Sequence, residues 1–338
     1  MGIIDVFYYI SSFFPIFLWY IYKKVQLEEE EMKNTEQFLQ KTAVVWVGAL
    51  ICCAFWGSAF PCIKLGYAWM HIPADDSAAQ ILYAGFRFAL AGILTILIGS
   101  VLQKQFLYPK RQAVPKVLWL CILQTVLQYL FFYIGLAHTS GVKASIIEGM
   151  NVFVAVLVAG LIFRQETVTL RKMAGCLIGF AGVVLVNLSG GRFDASFHLT
   201  GEGFIFLSTI AYAFSSVYLK RYSKTENPVM LSGYQFLIGG MIMVFCGKLL
   251  GGHLEAPSLP AVGMLLWLAL VSAVAYSLWG ILLKYNPVSR VAVFGFMNPV
   301  FGVLLSALLL GETGMLGWSC VMALALVCAG IYIVNRNS

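Results

Sequence analysis

The chain has 338 residues, of which 60% are hydrophobic and 11% charged, and a formal net charge of +7. An ordinary soluble domain is roughly 45–50% apolar and 25% charged, so the composition excludes a soluble globular enzyme, and with it a nucleic-acid-binding reading of the positive charge. The length instead fits about ten or eleven membrane-spanning helices of about 20 apolar residues, joined by short connections, with no separate folded domain.

The first apolar run is Ile3 to Tyr22. Asp5 stands where a signal peptide carries basic residues, and no small-residue cleavage site follows, so the run reads as an extra amino-terminal helix. Glu28 to Glu31 immediately precede Met32. Consecutive glutamate codons are purine-rich and resemble a ribosome-binding site, which makes translation from Met32 the alternative. Residues 1–42 are therefore set apart. Ten stronger runs follow, at 43–66, 79–102, 116–137, 142–163, 170–188, 203–220, 231–249, 261–283, 291–311 and 315–334. Each must be helical, because lipid offers no partner for an open strand edge.

The basic residues fall unevenly between these runs. Seventeen lie before the first span, in the even connections or after the last span, among them Lys116, Lys172, Lys220, Arg290 and Arg336. On the other side lie three, Lys143, Arg192 and Lys248, while Lys64 and Arg87 sit in or at the edge of spans. Positive-inside bias then places the even connections and the carboxyl terminus in the cytoplasm.

The two halves repeat. Leu82-Tyr-Ala-Gly-Phe-Arg-Phe-Ala-Leu-Ala-Gly92 matches Met230-Leu-Ser-Gly-Tyr-Gln-Phe-Leu-Ile-Gly-Gly240 at a shift of 148, as Ala181 to Asn187 matches Ala329 to Asn335. Between them, Lys143 to Asn151 falls over Arg290 to Asn298 at a shift of 147, and Glu166-Thr167 corresponds to Glu312-Thr313. A unit of five spans reverses its direction when duplicated. The expected fold is thus an all-α polytopic membrane protein: ten transmembrane helices as two inverted five-helix repeats, 43–188 and 203–335. Such repeats are associated with transporters, whose site lies between the halves.

Trp56-Gly57-Ser58, Arg87, Asn298-Pro299, Gly311-Glu312 and the glycine-rich Gly175 to Gly182 resemble the EamA-type transporters of the drug/metabolite transporter superfamily. The resemblance covers residues 43–335. It implies two inverted five-helix repeats around a central cavity, and export or exchange of small metabolites across a plasma membrane, here a bacterial inner membrane. One departure stands out. Many members carry a proline in the fourth span, whereas Asn151 is followed by Val152, so a helix break is expected in the second half alone.

Ionisable groups inside spans are costly and are functional candidates by default. Arg87 and Glu148 stand at about equal depth from the non-cytoplasmic side, which makes an ion pair plausible. The pair either binds the charged ends of a substrate or makes transport proton-dependent; the competing reading is a static bridge between two helices. The second half has Gln235 and Gly295 at these places, so the architecture itself does not require the pair. Gln124 and Gln128, one turn apart on the third span, supply hydrogen bonds to a substrate or join helices. Asn151 and Asn298 sit in equivalent places, and Pro299 frees a carbonyl beside the latter. Trp56, Tyr212, Tyr276 and Trp279 can line a cavity for a flat or apolar substrate. Lys64 and Lys143, near span ends, can snorkel to water. Glu166 and Glu312 read as turn or helix-start residues. The eight cysteines fall within spans without zinc-ligand spacing, and no cofactor motif occurs.

The expected function is a secondary transporter of a small metabolite or drug by alternating access, working in the lipid bilayer without ATP, since no phosphate-binding Gly-x-x-x-x-Gly-Lys-Ser/Thr loop exists. An intramembrane enzyme and a passive pore or sensor are the rivals. The first lacks a metal-binding or nucleophilic constellation, and the second lacks a continuous polar stripe. A homodimer is left open.

Overall fold

The computed structural model describes residues 36–73, 75–139, 141–188, 198–255, 258–311 and 317–336, with the side chains of residues 141 and 142 excepted. The expected helix over Ile3 to Tyr22, the alternative start at Met32, and the Glu312-Thr313 pair lie outside the described residues. Ten helices are long and apolar enough to cross a membrane: α1 (Thr42–Trp69), α2 (Ser77–Leu102), α3 (Val114–Ala137), α4 (Lys143–Ile162), α5 (Leu170–Leu188), α6 (Leu199–Tyr222), α7 (Pro228–Leu249), α8 (Leu259–Tyr285), α9 (Val288–Leu310) and α10 (Trp318–Asn335). Among the described residues there is no strand. The helices are apolar on all sides, as membrane spans are, and large side chains such as Val101, Leu170, Leu259 and Trp318 face outward.

Local chemistry sets the ends. Asp76 accepts from the Ala79 N–H to start α2, Asn227 does the same for Val229 and Met230 at α7, and Ser258 caps α8. Pro228 and Pro260 stand in the first turn of their helices, where no N–H is needed. A wide π turn over Leu199–Gly203 starts α6 ahead of the expected residue 203.

Equivalent helices of the two halves pack antiparallel. On α2 and α7, Gly85 lies against Gly240 and Val244, Gly92 against Gly233 and Leu237, and Gly99 against Val229. A Cβ on Gly240 would strike the backbone of Ala89, so this close approach requires glycine. On α5 and α10, Gly175 meets Gly330 and Val334, while Gly182 meets Ala323 and Val327. Several further contacts recur when the halves are exchanged: α1 packs on α8 and α9 as α6 packs on α3 and α4, and α2 touches α8 as α7 touches α3. Two self-pairs mark the axis of this exchange. Phe88 stacks on Phe236, its partner at a shift of 148, with ring centroids 5.3 Å apart. The Tyr129 and Tyr276 hydroxyls, related by 147, are 2.8 Å apart.

The break expected in α9 alone occurs in both halves. In α9, a 3-10 turn at Val293–Phe296 precedes the segment Met297–Leu310 that contains Pro299. In α4, the helix is interrupted at Met150, whose N–H bonds to the Ile147 carbonyl three residues back at 2.9 Å. The proline is therefore not what bends α4. Gly149 places no side chain at the interruption, and the α9 break packs against it: Asn151 Oδ1 and Val152 Cγ2 lie about 3.5 to 3.7 Å from where a Cβ on Gly295 would be.

The basic connections share one face. Asn227 binds Gln103, Lys116 binds Glu226 at 2.6 Å, Arg290 donates to Thr42 Oγ1 at 3.0 Å, and Asn286 Nδ2 donates to the Leu39 carbonyl at 3.1 Å.

Candidate functional site

A cavity of about 150 Å³ lies where α1, α2, α3, α4, α6, α8 and α9 converge. Trp56, Arg87, Gln128, Glu148, Asn151, Tyr212, Tyr276 and Asn298 all line it, together with Phe60, Tyr129, Phe132, Tyr133, Ser145 and Ser208. It occupies the middle of the bundle and the half towards the lysine-poor ends of the helices. Towards the lysine-rich ends, the halves are closed by packed side chains such as Leu282, Leu283 and Val288.

The helix breaks explain why α4 and α9 can contribute. Their interruption brings Glu148, Asn151, Gly295 and Asn298 to the cavity wall, where irregular backbone is tolerated because it faces a cavity and not lipid. Aromatic rings form much of the rest. Trp56 is edge-on to Tyr276 at 5.1 Å and to Trp279 at 4.9 Å, and Phe236 is edge-on to Tyr276 at 4.8 Å.

Three expectations are corrected here. Arg87 and Glu148 line the same cavity but form no ion pair. Arg87 turns instead to α8, donating from Nε at 3.2 Å and Nη2 at 2.9 Å to Ser272 Oγ, which in turn donates to the Leu268 carbonyl. The Ser272 hydroxyl is fully buried. Glu148 has no hydrogen bond or ion pair among the described residues. Second, Gln124 does not reach the cavity. It is fully buried on the same helix, while Gln128 one turn on lines the cavity. Third, Lys143 does not snorkel. It is 8% exposed and bonded at 3.2 Å to Glu202, whose carboxylate also accepts from Thr139 Oγ1 at 2.6 Å and from the His198 N–H at 2.7 Å. Glu166, read as a turn residue, likewise proves to be a buried bridging group, with Lys172 Nζ at 2.7 Å.

Sequence reasoning missed Ser272 and Thr125. They are equivalents at a shift of 147: Thr125 Oγ1 donates to Gln235 Oε1 at 2.5 Å, and Gln235 is the counterpart of Arg87. Each half's second helix thus extends a long polar side chain to a hydroxyl on the third helix of the other half. The repeat register held this signal. Several cavity atoms remain unpartnered among the described residues, namely Trp56 Nε1, Gln128 Oε1 and Asn298 Oδ1. Buried polar groups are generally paired, so these are the atoms that a ligand or water can satisfy. Among the described residues, no group of three or more potential metal ligands occurs.

The model of the EamA-like transporter family matches residues 43–188 and again 199–336. An uncharacterized transporter of Archaeoglobus fulgidus is 29% identical over 299 residues, covering 86% of this chain and 99% of its own length. YedA, an uncharacterized inner membrane transporter of Escherichia coli K12, is 28% identical over 288 residues, covering 82% of this chain and 88% of its own. A solved crystal structure superposes with a TM-score of 0.71 over 86% of this chain and 96% of its own, at 15% identity, which bears on the fold alone. The chain is a multi-pass membrane protein and belongs to the EamA-like transporter family.

Proposed function

We propose that the chain is a secondary transporter of the plasma membrane that exports or exchanges a small metabolite or drug by alternating access, and that its cavity faces the lysine-poor side in this conformation. The observation that carries the reading is that Arg87 and Glu148, a guanidinium and a carboxyl group, line one aromatic-walled cavity without pairing with each other. A static bridge between helices would have joined them. Held apart, they are available to the two ends of a ligand that carries both charges on a flat or apolar body, and the unpartnered Trp56 Nε1, Gln128 Oε1 and Asn298 Oδ1 add neutral hydrogen bonds.

Counterflow in proteoliposomes tests this. A carrier preloaded with unlabelled ligand accumulates label against its gradient, whereas a pore does not and an enzyme yields product. Candidate ligands come from a thermal-shift screen of the purified protein. Glu148→Gln and Arg87→Gln are each expected to slow counterflow about tenfold or more, the effect of losing one hydrogen bond to a charged group. Unchanged counterflow at unchanged membrane abundance in both variants would refute the assignment. Repeating the assay with and without an imposed pH gradient tests whether Glu148 also couples transport to protons.

A further inference from the structure

The lysine-rich face closes on the connection between α8 and α9. Glu166, which follows α4, accepts from the Ser289 backbone N–H at 2.9 Å and from the Ser289 hydroxyl, while Lys172 Nζ donates to the same carboxylate at 2.7 Å. Ser289 is fully buried, and the Lys172 and Glu166 side chains are 10% and 7% exposed. The bond crosses between halves, from the first half's fourth connection to the first turn of α9. Lys220 adds bonds to the carbonyls of Leu283 and Asn286 at the same place.

Two other polar bonds between helices come as related pairs. Arg87 on Ser272 corresponds to Gln235 on Thr125, and Lys143 on Glu202 at the start of α6 corresponds to Arg290 on Thr42 at the start of α1. A bond present in both halves of one conformation survives an exchange of their roles, so it does not favour either conformation. The Glu166 cluster is different. The repeat sets Val142 opposite Ser289 and Cys320 opposite Lys172. At the positions equivalent to Ser289 and Lys172 the sequence therefore offers neither a hydroxyl nor an ammonium for the same cluster.

We propose that Glu166, with Lys172 and Ser289, is a one-sided latch that keeps the lysine-rich face shut and biases the empty carrier towards the conformation whose cavity faces the lysine-poor side. Glu166 is a positioning residue, remote from the cavity. The proposal rests on the alternating-access reading and adds to it an energetic inequality between the two conformations. In a carrier, such a bias sets which side an empty site waits on.

The test uses thiol reactivity of the purified full chain in lipid nanodiscs, with Cys246 and Cys328, the two cysteines that are not buried, replaced by alanine. Ala275→Cys reports from a position that is buried here and that the repeat equates with cavity-lining Gln128. Ser145→Cys reports from the open cavity. Glu166→Ala and Ser289→Ala are each expected to raise the maleimide reaction rate at position 275 about tenfold, the population ratio that one charge-assisted hydrogen bond can set, and to lower the rate at position 145. Thr42→Ala, which cuts a bond that both conformations can keep, should leave both rates unchanged. Unchanged rates in the latch variants, or an equal change in Thr42→Ala, would overturn the proposal. Ser289→Ala deletes only a hydroxyl and serves if Glu166→Ala fails to fold. The readout needs no substrate, so a failed counterflow assay would count against the transport reading and not against the latch.

Discussion

Arg87 shows how a side chain can be recognised from sequence while its partner is not. A guanidinium in an apolar span stands out because it is expensive there. Its partner depends on how two helices from different halves are rotated against each other, which no short window of sequence encodes. Ser272 holds the guanidinium through two bonds, so Ser272→Ala should release it. We expect the fold to persist and the KM for counterflow to rise about fivefold to tenfold, with a smaller change in maximal rate, because the charge remains but loses its aim. Lys143 illustrates the converse. A lysine at a span end reads as one that snorkels, but the π turn at Leu199–Gly203 carries Glu202 to it and buries both. Glu202→Gln would take the negative charge out of a buried cluster that joins Lys143, Thr139 and the His198 N–H, and should lower the melting temperature in detergent clearly more than Lys116→Ala, which removes a pair near the surface.

At the scale of the element, the ten helices were legible because a long apolar run has one stable form in lipid, and their order and approximate ends follow from composition. The interruptions were not. Pro299 announces the α9 break, but α4 breaks without a proline, around Gly149 and Met150, because its second half must pack against the first turn of α9. A break set by tertiary packing leaves little local trace. The α2/α7 interface can be tested in the same terms. A Cβ at Gly240 meets the Ala89 backbone and leaves no flexible neighbour to yield. Gly240→Val should destabilise the protein by about 3 kcal/mol or more, as overpacking against backbone does, and should be seen as a lower melting temperature or loss of monodisperse protein. Gly263→Val is the comparison, since nothing lies within 4 Å of a Cβ there.

Across the whole molecule, the repeat was the most informative sequence signal. Its two shifts, 148 and 147, foretell which residues meet themselves across the axis: Phe88 with Phe236, and Tyr129 with Tyr276. They do not foretell where the halves part, because that depends on which conformation is adopted. The tyrosine pair gives a test of the whole arrangement. Tyr129→Phe and Tyr276→Phe each remove one side of a single bond, so their effects on thermal stability should be similar, about 1 kcal/mol, and the double variant should lose much less than the sum of the two. Additive effects would mean that the hydroxyls act separately.

The same pair of tyrosines bears on how a ligand is held. A cavity built about a two-fold axis offers a lopsided ligand two equivalent poses, head for tail, and a carrier with such a cavity could not tell them apart. The repeat sets Gln235 in the place of Arg87, and Gly295 in the place of Glu148. These two substitutions in an otherwise repeated plan break the degeneracy and give the site a direction of its own, independent of the direction in which the membrane is crossed.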